Sequence, residues 1–151
     1  MKKIVGIPGA LFVLLAFCTP AARAQGPHFN HTTVYVTDLQ KSADFYEKVM
    51  RLKKIPEPFH DGKHVWFDMG NHGQLHVVLG AKEIVPHDIN IHLAFSVHPY
   101  EPFLKHLDGM GIKYGNWAQN SQTPQVRPDG IKQVYFQDPD GYWLEVDDDN
   151  F

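Results

Sequence analysis

Val65-Trp66-Phe67 followed by Leu75-His76-Val77 aligns without a gap on Val134-Tyr135-Phe136 followed by Leu144-Glu145-Val146. Upstream of each copy, a strand pattern opens on histidine: His31-Thr32-Thr33-Val34-Tyr35-Val36, then His92-Leu93-Ala94-Phe95-Ser96-Val97. A duplicated unit therefore carries one ligand-type residue on its first strand and one on its last, twice over. Internal repetition outranks local propensity as evidence, because it sets the architecture that local elements must build.

Between these strands the pattern is regular. In the first unit, His31 to Val36 alternates as a strand, and Leu39, Ala43, Phe45, Tyr46 and Val49 form one side of a helix that Asp38 or Ser42 can cap. Leu52 to Ile55 predicts a short strand, Val65 to Asp68 a third and Gln74 to Leu79 a fourth, with a turn at Gly70-Asn71. The second unit repeats the order. His92 to Val97 is a strand, Pro102 to Leu107 a helix ending between Gly109 and Gly111, Ile112 to Tyr114 the short strand, and Val134 to Gln137 and Tyr142 to Val146 the last two. The fold class is α+β, with two βαβββ modules at 28–80 and 91–148. A polar loop from Gly115 to Gly130 is much longer than its counterpart, which suggests a functional loop. Asp138-Pro139-Asp140-Gly141 is a turn first.

Strand parity places the four candidates together. Side chains alternate across a sheet, so residues of equal parity share a face. His31 goes with Thr33 and Tyr35, His76 with Gln74 and Val78, His92 with Ala94 and Ser96, and Glu145 with Trp143 and Asp147. The opposite faces are apolar and suit the helix of each module. Two such sheets can curl into an open cup with His31, His76, His92 and Glu145 pointing inward. Three imidazoles and a carboxylate suit zinc, nickel, cobalt, manganese or ferrous iron rather than an all-oxygen calcium or magnesium site. His28, His60, His64, His72, His87, His98 and His106 fall at termini, turns, a helix or strand ends, and are expected at the surface.

Composition bounds the rest. Lys2 and Lys3, the apolar run from Ile4 to Phe17 and the Ala22-Arg23-Ala24 site predict a secretory signal peptide over 1–24, cleaved after Ala24. Lipid attachment at Cys18 is the alternative, poorly served by the bulky Phe17 before it. The expected address is periplasmic or secreted, with no membrane partner after cleavage. The remaining chain, 25–151, is the length of one domain. Cys18 is the only cysteine, so that domain has no disulfide and no thiolate chemistry. Losing Lys2, Lys3 and Arg23 takes the formal charge from −3 to −6, which leaves no basic stripe for nucleic acid.

His31-Thr32-Thr33-Val34-Tyr35-Val36-Thr37-Asp38-Leu39 with Ser42 to Tyr46, and Asp138-Pro139-Asp140-Gly141-Tyr142-Trp143-Leu144-Glu145, resemble the vicinal oxygen chelate superfamily. That group includes glyoxalase I, fosfomycin-resistance enzymes, extradiol dioxygenases, an epimerase and bleomycin-binding proteins. The resemblance spans essentially the whole of 25–151. It implies paired βαβββ modules around one divalent metal, with His31 and His76 on the first module's ligand positions and His92 and Glu145 on the second's. It also implies that Glu145 can carry a proton, with His76 a ligand or second base. Three features depart from glyoxalase I. The bacterial enzyme commonly has a glutamate where this chain has His76. Tyr35 stands where that enzyme has a glutathione-contacting arginine, and Gly80 where it has an asparagine. A small-molecule substrate other than a glutathione adduct is therefore expected.

The reaction expected first is that of a metal-dependent lyase or isomerase, which chelates neighbouring substrate oxygens and moves a proton through an enediolate. An Fe(II) dioxygenase using His31, His92 and Glu145 is the alternative, and a binding or resistance protein a third. Arg127, in the long loop, is placed to meet a substrate anion, and Tyr35, Trp66, Trp117 and Trp143 to wall the site. The cup can be completed within one chain or by a homodimer.

Overall fold

A computed structural model describes residues 26–150, so the expected signal peptide and its cleavage site lie outside the described residues. Two four-stranded mixed sheets follow one another along the chain. The first takes β1 (His31–Val36), β2 (Lys53–Ile55), β3 (His64–Asp68) and β4 (Gln74–Leu79) in the order β1-β4-β3-β2. The second takes β5 (His92–Ser96), β6 (Gln125–Val126), β7 (Lys132–Gln137) and β8 (Trp143–Asp147) in the equivalent order β5-β8-β7-β6. In each, the first strand runs parallel to the last and the others pair antiparallel. The α+β, two-module reading holds.

The apolar parity of each strand turns toward its helix as expected. Val34, Val36, Phe67, Leu75 and Val77 are buried beside Ala43, Tyr46 and Val49, which lie on α1 (Leu39–Asp44) and its π-helical continuation Phe45–Val49. Val134, Phe136, Leu144 and Val146 join Phe103, Leu104 and Leu107 of α2 (Tyr100–Gly109). Each such side chain contributes roughly 1.5–3 kcal/mol relative to an exposed position. One core cluster takes in both modules, with Phe45 and Phe136 6.3 Å apart across the joint. Asp38 caps α1 by accepting from the Lys41 amide at 3.0 Å. Ser42, the other expected cap, is buried and spent elsewhere.

Its partner is the Asp138–Gly141 turn, which is more than a turn. Asp140 accepts from the Thr37 amide at 2.7 Å, the Thr37 hydroxyl at 2.8 Å and the Ser42 hydroxyl at 2.5 Å. Asp138 accepts from the Tyr46 hydroxyl at 2.6 Å and from the amides of Asp140 and Tyr142 at 2.9 Å each. Both carboxylates are buried. The second module thus grips the first module's helix through charged acceptors whose hydrogen bonds are made good, the condition under which a buried charge is tolerated. Burial raises the Asp138 carboxyl above the ordinary carboxylate range, against the lowering effect of the Tyr46 hydrogen bond.

One strand lies elsewhere than expected. Ile112 and Tyr114 pack against the core without forming a strand, and the second sheet's edge is Gln125–Val126. Gly115 makes a single antiparallel bridge to Tyr135. A tight turn from Asn116 to Gln119 then ends the pairing, and the chain returns to β7 through the Arg127–Gly130 turn. Several of the histidines expected at the surface also have partners. His106 donates to the helix-end carbonyls of Lys48 and Val49, His87 stacks on Tyr142, and half-buried His64 packs on Phe59.

Candidate metal centre

The register of each sheet brings the expected ligands together in pairs. In the first module Thr33 lies opposite His76 and Trp66 opposite His76 on the other side, so the β1, β3 and β4 residues of that parity form one face. There the His31 and His76 rings stack with centroids 4.2 Å apart, and Trp66 stacks on the far side of His76 at 3.8 Å. In the second module Ala94 faces Glu145, and His92 reaches it diagonally, Nε2 to Oε2, at 3.0 Å. The structure therefore joins His31 to His76 and His92 to Glu145. Among the described residues, no three His, Cys, Asp or Glu side chains come together as a metal-holding group.

The hydrogen bonds around these rings decide what they can offer. His92 Nδ1 lies 2.7 Å from the Ile89 carbonyl oxygen, which can only accept, so Nδ1 carries a proton and Nε2 is the nitrogen left to face Glu145. Nε2 and the Glu145 Oε2 atom are the two that approach each other. Two electron-rich atoms at 3.0 Å need a proton or a cation between them. His31 Nδ1 donates to Asn30 Oδ1 at 2.6 Å, and His76 Nε2 to Gln74 Oε1 at 3.0 Å. Each imidazole has one nitrogen held by a neutral oxygen acceptor, while the other is free in His31 and His76 and faces Glu145 in His92, the arrangement in which outer partners orient a metal-ligating histidine. These nitrogen and oxygen donors are of the kind a divalent transition ion takes, and each pair supplies two of them. Burial, then the neighbouring His31 and His64, lowers the His76 pKa, which favours the neutral ring that can bind a metal or take a proton.

The expected substrate residues are distributed around both faces. Trp66 is part of the imidazole stack, and its indole nitrogen is buried without a partner among the described residues. Trp143 is pinned by an N–H bond to the His87 carbonyl at 3.0 Å. Tyr35 is half exposed, and its ring lies directly over Gly80, where an added Cβ would fall 2.3 Å from the hydroxyl. Gly80 is thus required by the close approach of Tyr35, which links two of the departures noted in the sequence. Trp117 is exposed on the long loop, and its amide donates to Gln125 Oε1 at 3.2 Å. Arg127 leaves β6 and pairs with Asp129, Nε to Oδ1 at 3.2 Å. That pairing raises its pKa, with lesser contributions from Glu145 and Asp147.

Sequence reasoning missed Tyr135. Its hydroxyl donates to Glu145 Oε2 at 2.6 Å and its ring stands edge-on to His92. The signal was available in the repeat, where Tyr135 aligns with Trp66, the residue that stacks on His76.

Comparison with known proteins agrees with this architecture. The family described as the Glyoxalase/Bleomycin resistance protein/Dioxygenase superfamily matches residues 28–146. The chain is 32% identical over 127 residues to the glutathione transferase FosA of Serratia marcescens, covering 78% of this chain and 77% of that one. It is 27% identical over 123 residues to the metallothiol transferase FosB of Staphylococcus saprophyticus, covering 78% and 74%. Among solved structures, oxidase ChaP-H1 superposes with a TM-score of 0.68 at 26% identity, over 83% of this chain and 98% of that one.

Proposed function

The chain belongs to the glyoxalase/bleomycin resistance/dioxygenase superfamily, and from that premise we propose that it is a divalent-metal-dependent lyase or isomerase acting on a small substrate with neighbouring oxygens. The observation that carries this reading is the polarity of the three imidazoles. Each has one nitrogen committed to a neutral oxygen acceptor and the other turned away from it, and that of His92 faces Glu145. His31, His92 and Glu145 would hold the ion, with His76 as a fourth ligand or as the base beside it. The ion, zinc, nickel, cobalt, manganese or ferrous iron, would supply Lewis-acid polarisation of the substrate oxygens.

The remaining work falls to the chain. His76, neutral and stacked between Trp66 and His31, takes or returns a proton at its free Nδ1, and Glu145 is the second group able to carry one. Trp66, Trp143 and Tyr35 exclude water from the face. Arg127 exchanges Asp129 for a substrate anion as the long loop, with Trp117, closes over the site. Because the chain carries its ligands as two pairs on two sheets, we place the complete site between two copies, His31 and His76 of one meeting His92 and Glu145 of the other. The exported address rests on the signal-peptide pattern, and mass spectrometry of the exported protein tests it. A chain beginning at Gln25 is expected, and a diacylglyceryl adduct on Cys18 would overturn it.

A second reading, thiol transfer to an oxygen-bearing electrophile, is favoured by the names of the FosA and FosB relatives and by the firm hold of Tyr135 on Glu145, which suits a fixed ligand. The two separate experimentally on protein purified without oxygen, after its metal content is measured. Deuterium exchange into α-hydroxy-carbonyl compounds is expected for the lyase or isomerase. Thiol consumption with an epoxide would favour transfer, and oxygen uptake with catechols would favour the dioxygenase.

A further inference from the structure

Tyr135 lies on β7 directly opposite Glu145 on β8 in the antiparallel register, and only 3% of it is exposed. Its hydroxyl oxygen accepts a hydrogen bond from Gln133 Nε2 at 2.9 Å. With the amide on its acceptor side, the hydroxyl has one proton to place, and the nearest acceptor is Glu145 Oε2 at 2.6 Å. The same Oε2 lies 3.0 Å from His92 Nε2. Gln133 is itself buried, so the chain Gln133–Tyr135–Glu145 runs through a region where water cannot substitute for a missing partner.

The repeat supplies an independent parallel. At the equivalent register position Trp66 lies opposite His76 and stacks on it with the planes 3° apart. Both modules therefore use the third-strand aromatic to hold the last-strand ligand. The contact is matched to its target: a ring face for an imidazole, an O–H for a carboxylate.

We propose that Tyr135, braced by Gln133, is the positioning residue that holds the Glu145 carboxylate at the His92 nitrogen, so that the two meet a divalent cation as a preorganised pair. The proposal rests on the metal reading above. A buried hydrogen bond that merely stiffens the sheet would alter the melting temperature and leave cation affinity unchanged.

The test uses the full chain stripped of metal and titrated with Co(II) alone, read by calorimetry and by the visible absorption of the bound ion. Tyr135→Phe, which keeps the ring, is expected to weaken Co(II) binding about 10- to 100-fold and to shift the absorption bands. Gln133→Leu should produce a smaller loss in the same direction, and should add nothing when placed on Tyr135→Phe, because it acts through the hydroxyl. Gln133→Leu also serves alone should the phenylalanine variant not fold. Wild-type affinity and spectrum in Tyr135→Phe, with only the melting temperature lowered, would overturn the positioning role. Independent, additive losses would overturn the brace. A wild-type chain that binds no Co(II) would overturn the metal reading itself and this role with it.

Discussion

At the scale of single residues, the account turns on which atoms are free. His31 and His92 each present Nε2 with Nδ1 held by an acceptor, so His31→Ala and His92→Ala should each abolish binding of a divalent transition ion. His76→Ala should weaken it less, since its ring is shared between ligand and base roles. Elemental analysis of the purified variants checks both, and full occupancy in a His31/His92 double mutant would contradict the assignment. Arg127 carries the substrate claim. Arg127→Ala should raise KM for an anionic substrate, with metal content unchanged, and identical kinetics would leave the residue as a surface partner of Asp129. Parity alone sufficed to put His31, His76, His92 and Glu145 on the right faces, because a strand's period of two leaves no other choice. It could not find Tyr135, whose importance depends on the cross-strand register that sets it opposite Glu145. Nor could it find the outer partners Asn30, Ile89 and Gln74, since nothing in a one-dimensional pattern says where an imidazole's second nitrogen points.

Among the elements, the Asp138–Gly141 turn supplies the polar grip of the second module on the first module's helix. Asp140→Ala removes three charge-assisted hydrogen bonds to Thr37 and Ser42 and should destabilise the fold by roughly 3 kcal/mol, readable by urea denaturation. Asp138 makes a prediction of opposite flavour. Its pKa is raised by burial, so the folded state binds its proton more readily than the unfolded state does. The stability this group contributes is full below its unfolded pKa and falls as pH rises through the raised folded value. Asp138→Asn should therefore show a flatter stability curve, gaining on the wild type from acid toward neutral pH. A parallel pair of curves would contradict that sign. The turn was legible as a turn because Asp, Pro and Gly dictate one, but its grip on Tyr46 and Ser42 spans more than ninety residues of sequence. The edge strand of the second sheet was misplaced for a related reason. Ile112 to Tyr114 has a strand's composition, yet Gly115 and the Asn116–Gln119 turn allow only one bridge before the chain leaves the sheet.

In the whole molecule, the duplication seen in the sequence becomes two sheets of identical strand order, each bearing two of the four candidate ligands. One sheet carries the His31–His76 stack and the other the His92–Glu145 pair, and in the proposed two-fold association of identical chains the halves would meet twice. The most direct test is metal analysis of the wild type, of His31→Ala, of Glu145→Ala, and of the two variants mixed and allowed to exchange subunits. The account predicts about one divalent transition ion per wild-type chain and little in either variant alone. The mixture should recover about a quarter of the wild-type content, because half of the dimers are mixed and each holds one intact site. Wild-type occupancy in either single variant, or no recovery on mixing variants whose subunits demonstrably exchange, would contradict it.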